Sequence, residues 1–473
     1  MDGPILTAGS ALAGLWNEAQ LPPKALDYVD LPGVEPALPS SFPVASVAQA
    51  ALAAAALAAA EVGFVRTGQH HRQRVSVDLT HVAIDCCAYF TLDGTEPLKW
   101  DKLSGLYRCG GESRRGWVRI HANFAHHRDG ALRILGLPPG PDVEREQVAE
   151  ALESWDAVDF ETAAVAAGVV CTAVRSFEDW DRLPQALALA GKLPISIERI
   201  DGSEDHPPQT WPDLLPGSRP LEGLRVLDLT RILAGPVAGR TLAAYGADVM
   251  LVNSPDLPNI ESIADTSRGK RSVHVDLKSE SGRDTLRTLA SQSNVFMQGY
   301  RPGALAGLDF GPDALARLRP GIVYLSLTAY GANGPWASRR GYDSLVQTAT
   351  GLNVAEAEAF GSPTPKALPI QILDYAAGYL LAFGASAALL RQARHGGSWH
   401  VRVSLAGVAT WLRRFGRVMD GIKAPSPSFE PYLVSSDSGF GHLVSVGHPA
   451  ILAETPAGWS RPSVPPGTDV PVW

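Results

Sequence analysis

An aspartate opens a long apolar stretch, Ile372-Leu373-Asp374-Tyr375-Ala376-Ala377-Gly378-Tyr379, and the alanine, leucine and glycine that continue it to Gln392 read as a helix beginning at Asp374. A carboxylate at a helix start has two uses. It can satisfy free N–H groups and the positive end of the helix dipole, or, when a reactive carbonyl is brought to it, it can act as a nucleophile. On the residues alone both stand. The four cysteines, Cys86, Cys87, Cys109 and Cys171, are too few for a disulfide scaffold and lack zinc spacing, which fits a reducing compartment. His121, His126 and His127 crowd one stretch, but their spacing suits no common zinc site, so no metal is expected. No GxGxxG follows the first strand of the second half, and there is no P-loop or GxSxG, so nothing supports nucleotide-dependent hydride or phosphoryl transfer or α/β-hydrolase chemistry.

The elements that position Asp374 alternate between strand and helix. Residues 224–229, 248–253, 272–277, 294–298 and 322–328 read as apolar strands, with helices leading up to Tyr245 and over 279–292. Buried-type strands separated by helices imply a parallel sheet covered on both faces, with ligands beyond the carboxyl ends of the strands. Prolines divide the chain: five lie in 203–221. The expected parts are an N-terminal extension (1–45), a smaller α+β segment (46–205), a linker (206–220), a Rossmann-like large domain (221–425) and a C-terminal hairpin with a Pro-rich tail (426–473). An internal repeat crosses this division. Arg74–Ala83, RVSVDLTHVA, parallels His400–Ala409, HVRVSLAGVA, and Tyr107 and Leu433 stand at the same offset beyond them.

With 473 residues, 45% hydrophobic and 19% charged, the chain has the composition of a globular protein with a sizeable core. Its net charge of −8 argues against nucleic acid, which needs a basic face. The N-terminus lacks a basic segment followed by an apolar one, and the apolar run 48–60 falls short of a bilayer span, so a cytoplasmic protein without a membrane partner is expected.

Five ordered segments of the second half resemble the class III coenzyme A transferases, the CaiB/BaiF family. They are LEGLRVLDLTRILAGPVAGRTLAAYGADVMLVN, TSRGKRSVHVDLKSESGRDTLRTLA, NVFMQGYRPGALAGLDFG, IVYLSLTAYGANGPWASRRGYDSLVQTATG and ILDYAAGYLLAFGASAALLRQ. GWVRIHANFAHHRDGALRILGL and AAGVVCTAVRSFEDW, in the first half, resemble the family's smaller domain, so the chain looks rearranged or partly duplicated.

The resemblance implies a CoA-transferase that moves CoA from an acyl-CoA thioester to a carboxylic acid, with Asp374 as the nucleophile. The route runs through an aspartyl mixed anhydride and an aspartyl-CoA thioester, and CoA is a substrate rather than a resident cofactor. It implies CoA contacts from Arg231, Arg268, Lys270, Arg271, Tyr300, Arg301, Ala329 and Tyr330. It also implies active-site loop residues at Gly110, Gly111 and Tyr342 and a homodimer. Acyl-CoA racemases share the fold and are similar through a GHDINY segment; here that segment is Gly341-Tyr342-Asp343, and Tyr342 replaces the histidine. A phenol with a pKa near ~10 is a poor base for α-proton exchange, which favours the transferase. Departures such as Asn253 and Gly307 keep open a non-catalytic CoA-binding protein. The N-terminal half has no second copy of the Asp374 segment, so at most one competent site per chain is expected.

Overall fold

The computed structural model describes residues 5–68, 70–110, 116–215 and 217–473. A seven-stranded sheet forms its centre, in the order Lys270–His274, Asp248–Asn253, Arg225–Leu229, Val295–Gln298, Val323–Thr328, Trp399–Ser404 and Ile195–Arg199. The first six strands are parallel, as their continuous apolar runs require, and the last is an antiparallel edge. The mixed α/β class expected from the sequence is the one observed. The expected strand 272–277 lies two residues earlier because Lys270 is drawn inward. Its ammonium donates to Asp228 Oδ2 and to the Pro236 carbonyl, both at 2.9 Å, and the pair is fully buried. Gly239 makes room for it: a Cβ there would collide with Asp228 and Lys270.

Two helices are long and apolar enough to cross a bilayer, Val44–Arg66 and Ile372–His395, and both are core helices here, with 94% and 100% of their most apolar windows buried. They pack against each other, so a helix of the first half lies at the heart of the large domain. The structure therefore draws the domain boundary differently from the sequence. A helix that is apolar all round must be covered on every side, and this places Val44–Arg66, Leu79–Asp85 and the edge strand Ile195–Arg199 with the large domain. The small lobe shrinks to a separate core around Leu103, Tyr107, Val118, Phe160 and Cys171. It is built on the antiparallel strands Gly105–Cys109, Gly116–Ile120 and Cys171–Ala173.

The repeat is visible in the elements. The shift that carries Val75 to Val401 carries helix Val44–Arg66 onto Ile372–His395 and Leu79–Asp85 onto Leu405–Arg413. It also carries the hairpin Gly105–Cys109/Gly116–Ile120 onto Leu433–Ser438/Gly441–Val446. Asp78 and Ser404 stand in register and do the same work, each capping its helix by accepting an N–H three residues on. The same shift sets Ala48 opposite Asp374. Buried charges join the halves: Arg240 donates to both oxygens of Asp85 at 2.9 Å and pairs with Asp265, while Tyr379 donates to Asp85.

Replacing Lys270 by alanine leaves the Asp228 carboxylate buried and unpaired. Urea unfolding of K270A is expected to show a loss of about 3–5 kcal/mol, partly recovered when Asp228→Asn is added.

Candidate active site

The helix carrying Asp374 begins two residues before the expected start, at Ile372, and its N-cap residue Gln371 supplies no side-chain cap. The cap comes from elsewhere. Asp343 Oδ2 accepts the backbone N–H of Leu373 at 2.6 Å and of Asp374 at 3.0 Å. Asp343 Oδ1 accepts from the Gln347 amide, which also donates to the Ile370 carbonyl at 3.1 Å. The two carboxyls thus sit on adjoining helix starts, Asp343 fully buried and Asp374 8% exposed. Burial pushes the Asp343 carboxyl up to about 7 against the opposing effect of these N–H donors. Burial and then the Asp343 charge push Asp374 well above the usual carboxylate range.

Tyr342, immediately before Asp343, is where the small lobe meets this pair. The His121 ring stacks on Tyr342 at 4.1 Å with a 17° interplanar angle, and Phe124 and His127 lie within 6.4 Å of the same ring. Burial pushes His121 down to about 4 and His127 down to about 3, so both imidazoles are neutral at neutral pH. Arg119 lies on the strand Gly116–Ile120 just before His121; the strand packs against the Asp343 helix, and the Arg119 charge acts on Asp343. Arg231 and Arg340 face Tyr342 and His127. None of these small-lobe residues was singled out for the site from sequence, because their pairing with Tyr342 spans more than 200 residues of chain. The closeness of His121, His126 and His127 was the one available signal.

A cavity of about 770 Å³ lies along strands Val323–Thr328, Trp399–Ser404 and Ile195–Arg199 and reaches the loop after Val295–Gln298, within the size range of small-molecule sites. Its polar lining includes Gln298, Ser326 and His400, joined in a chain: Gln298 Nε2 donates to Ser326 Oγ at 3.1 Å, and Ser326 Oγ meets His400 Nε2 at 2.8 Å. Arg301, Arg402 and Lys192 also line it. Asp374 does not.

The sequence profile of CoA-transferase family III matches residues 221–428. That segment belongs to CoA-transferase family III. A probable fatty acyl-CoA transferase of Mycobacterium tuberculosis, Rv3272, is 36% identical over 232 residues, covering 45% of this chain and 57% of its own. An acyl-CoA transferase of Gibberella moniliformis is 30% identical, covering 61% of this chain and 53% of its own. The mouse succinyl-CoA:glutarate CoA-transferase is 35% identical over 192 residues, with 38% and 43% covered. The crystal structure of Rv3272 aligns with a TM-score of 0.38 at 37% identity, covering 42% of this chain and 58% of that one. The chain thus spans a little over half the length of the first two relatives.

Within the family III segment, the residues expected at CoA separate into two groups. Tyr300 and Arg301 line the cavity. Ala329 and Tyr330 lie between its lining residues Thr328 and Gly331, but Tyr330 turns inward to pack on Trp180 and Trp336. Arg231 lies instead at the lobe interface, 5.9 Å from the Phe124 ring and bonded to the Pro258 carbonyl. Arg268, Lys270 and Arg271 require a correction: each already serves an internal carboxylate. Arg268 is buried on Asp265 and the Val446 carbonyl beneath Trp459, Lys270 on Asp228, and Arg271 grips both oxygens of Asp248 at 3.0 Å. The glycine loop is described only at its first residue. Gly111 lies outside the described residues. Gly110 follows the strand Gly105–Cys109 and donates its N–H to the Leu152 carbonyl, within the small lobe. The end of the neighbouring strand that reaches Tyr342 is the opposite one, about 13 Å along at ~3.3 Å per residue.

Asp343→Ala removes the acceptor for two helix-start N–H groups at a buried position. A loss of about 1–3 kcal/mol for each group left unpaired is expected, read as a lower urea midpoint.

Proposed function

We propose that the chain is a CoA-transferase in which Asp374 is the nucleophile and the cavity at Tyr300 and Arg301 receives the CoA moiety. The observation that carries this reading is the placement of Asp374: a carboxyl in the first turn of a buried helix, at the lobe interface, inside a family III segment. The ionised oxygen attacks the thioester carbonyl, and the C–S bond breaks to release CoA thiolate, leaving a mixed anhydride. The thiolate then attacks the aspartyl carbonyl, freeing the first acid and leaving an aspartyl-CoA thioester. A second carboxylate reverses both steps. The nearby helix-start N–H groups are already held by Asp343, which fixes the backbone of the first turn that carries Asp374.

CoA is a polyanion, and this acidic chain meets it with local cations: Arg301, Arg402 and Lys192 border the cavity. Because Asp374 is only 8% exposed, the thioester reaches it when the small lobe shifts away from Tyr342, and its return excludes the water that would hydrolyse the anhydride. The succinyl-CoA:glutarate and fatty acyl-CoA relatives make acyl-CoA donors with carboxylic acid acceptors the first substrate panel to test.

Incubation with acyl-CoA followed by borohydride or hydroxylamine is expected to modify Asp374, as mapped by mass spectrometry. An unmodified Asp374 in protein that still binds CoA contradicts the transferase and leaves a CoA-binding protein. Arg301→Gln is expected to raise KM for acyl-CoA about tenfold, ~1.4 kcal/mol, with kcat little changed. Arg268→Gln is expected to lower stability instead.

A further inference from the structure

The two buried carboxyls at the lobe interface have unequal surroundings. Asp343 has three donors: the N–H groups of Leu373 and Asp374 and the Gln347 amide. The Asp374 carboxyl meets no donor among the described residues; what acts on it is burial and the charge of Asp343. Tyr342 stands beside Asp374, and Arg231 and Arg340 act on Tyr342. The cation whose charge acts on Asp343 is Arg119: it lies on the small-lobe strand Gly116–Ile120, which packs against the Asp343 helix, is 9% exposed, and forms no ion pair among the described residues, Asp343 lying beyond salt-bridge distance.

We propose that, with the lobes closed, Asp343 carries the negative charge and Asp374 the proton, and that Arg119 is the positioning residue that enforces this division. The proposal deepens the functional reading above and rests on Asp374 being the nucleophile. Two adjacent buried carboxyls do not both ionise readily. The charge settles where donors and a cation stabilise it, and the proton stays on the partner that has neither. Burial lowers Arg119 only to about 10, so it keeps its charge at neutral pH. The nucleophile is therefore stored as the neutral acid, and its proton must leave to solvent before attack. The first half of the chain, which has Ala48 where the second has Asp374, contributes to the single site by setting its charge.

Infrared titration of the full chain without ligand tests this. The C=O band of a protonated carboxyl is assigned to Asp374 by its loss in Asp374→Asn and to Asp343 by its loss in Asp343→Asn. In the wild type the Asp374 band persists at pH ~7, some three units above an ordinary aspartic acid. In Arg119→Gln the Asp343 band survives to higher pH by about one unit, a tenfold change in its proton affinity, and Arg119→Lys restores the wild-type midpoint. A role for Arg119 in packing alone would not move that midpoint. Loss of the Asp374 band by pH ~5 in the wild type, or an unmoved Asp343 midpoint in folded Arg119→Gln, overturns the proposal. If Arg119→Gln does not fold, the wild-type titration and the Asp343 midpoint in Arg119→Lys decide it. Absence of CoA transfer alongside the predicted titration counts against the functional reading and leaves the proton placement standing.

Discussion

The contact between the helices Val44–Arg66 and Ile372–His395 is the constraint on which the other features depend. Each is apolar round its whole circumference, so neither can lie on a surface; each needs cover on every side. Together they bring opposite halves of the chain into one core. The Asp374 helix is then fixed from both flanks. Gly378 allows it to approach the Ala234 carbonyl so closely that a Cβ would not fit, and Tyr379 is anchored on Asp85 of the first half. The chain between Leu79–Asp85 and the edge strand Ile195–Arg199 has both ends tied to this core, and the small lobe is built from it. That is how His121 comes to stack on Tyr342 and the Arg119 charge to act on Asp343.

Charge in this molecule is managed locally. The −8 of the whole chain says little about the interior, where Arg240, Arg268 and Lys270 each meet a buried carboxylate. Such pairs carry a desolvation cost that their attraction offsets only with good geometry; here they tie the two halves and the first strands into register. Outside that interior, Arg301, Lys192 and Arg402, the last paired with Glu198, border the large cavity. A carboxyl pair without a full complement of cations, such as Asp343 and Asp374, departs from this arrangement, and such departures cluster at sites of chemistry.

Much of this was legible in the sequence where the signal is local. Buried parallel strands are continuous apolar runs, and those at Val226–Leu229, Val249–Val252 and Val323–Leu325 stand within a residue or two of where their pattern puts them. The repeat was legible because the caps Asp78 and Ser404 and the valines before them keep their spacing. What escaped was made by tertiary pairing. Asp343 caps a helix that begins 29 residues after it, and no capping pattern extends that far. Lys270 and Arg268 were expected at CoA because the resemblance places their charged loop motif there; their carboxylate partners could be found only once the strands were aligned. Helix Val44–Arg66 was assigned to the smaller segment, since its apolar sequence shows that it must be covered and not by what.

The central claim is that Asp374 exchanges acyl groups through its own carboxyl oxygens. In the two-step route the acceptor carboxylate gives up one oxygen to the aspartate when CoA attacks the second anhydride. The direct measurement is to turn the chain over with an acyl-CoA and an acceptor acid labelled with oxygen-18, then read the peptide containing Asp374 by mass spectrometry. Heavy oxygen in the Asp374 carboxyl is the predicted result. CoA transfer with the label confined to the acyl-CoA product and absent from Asp374 would contradict the account.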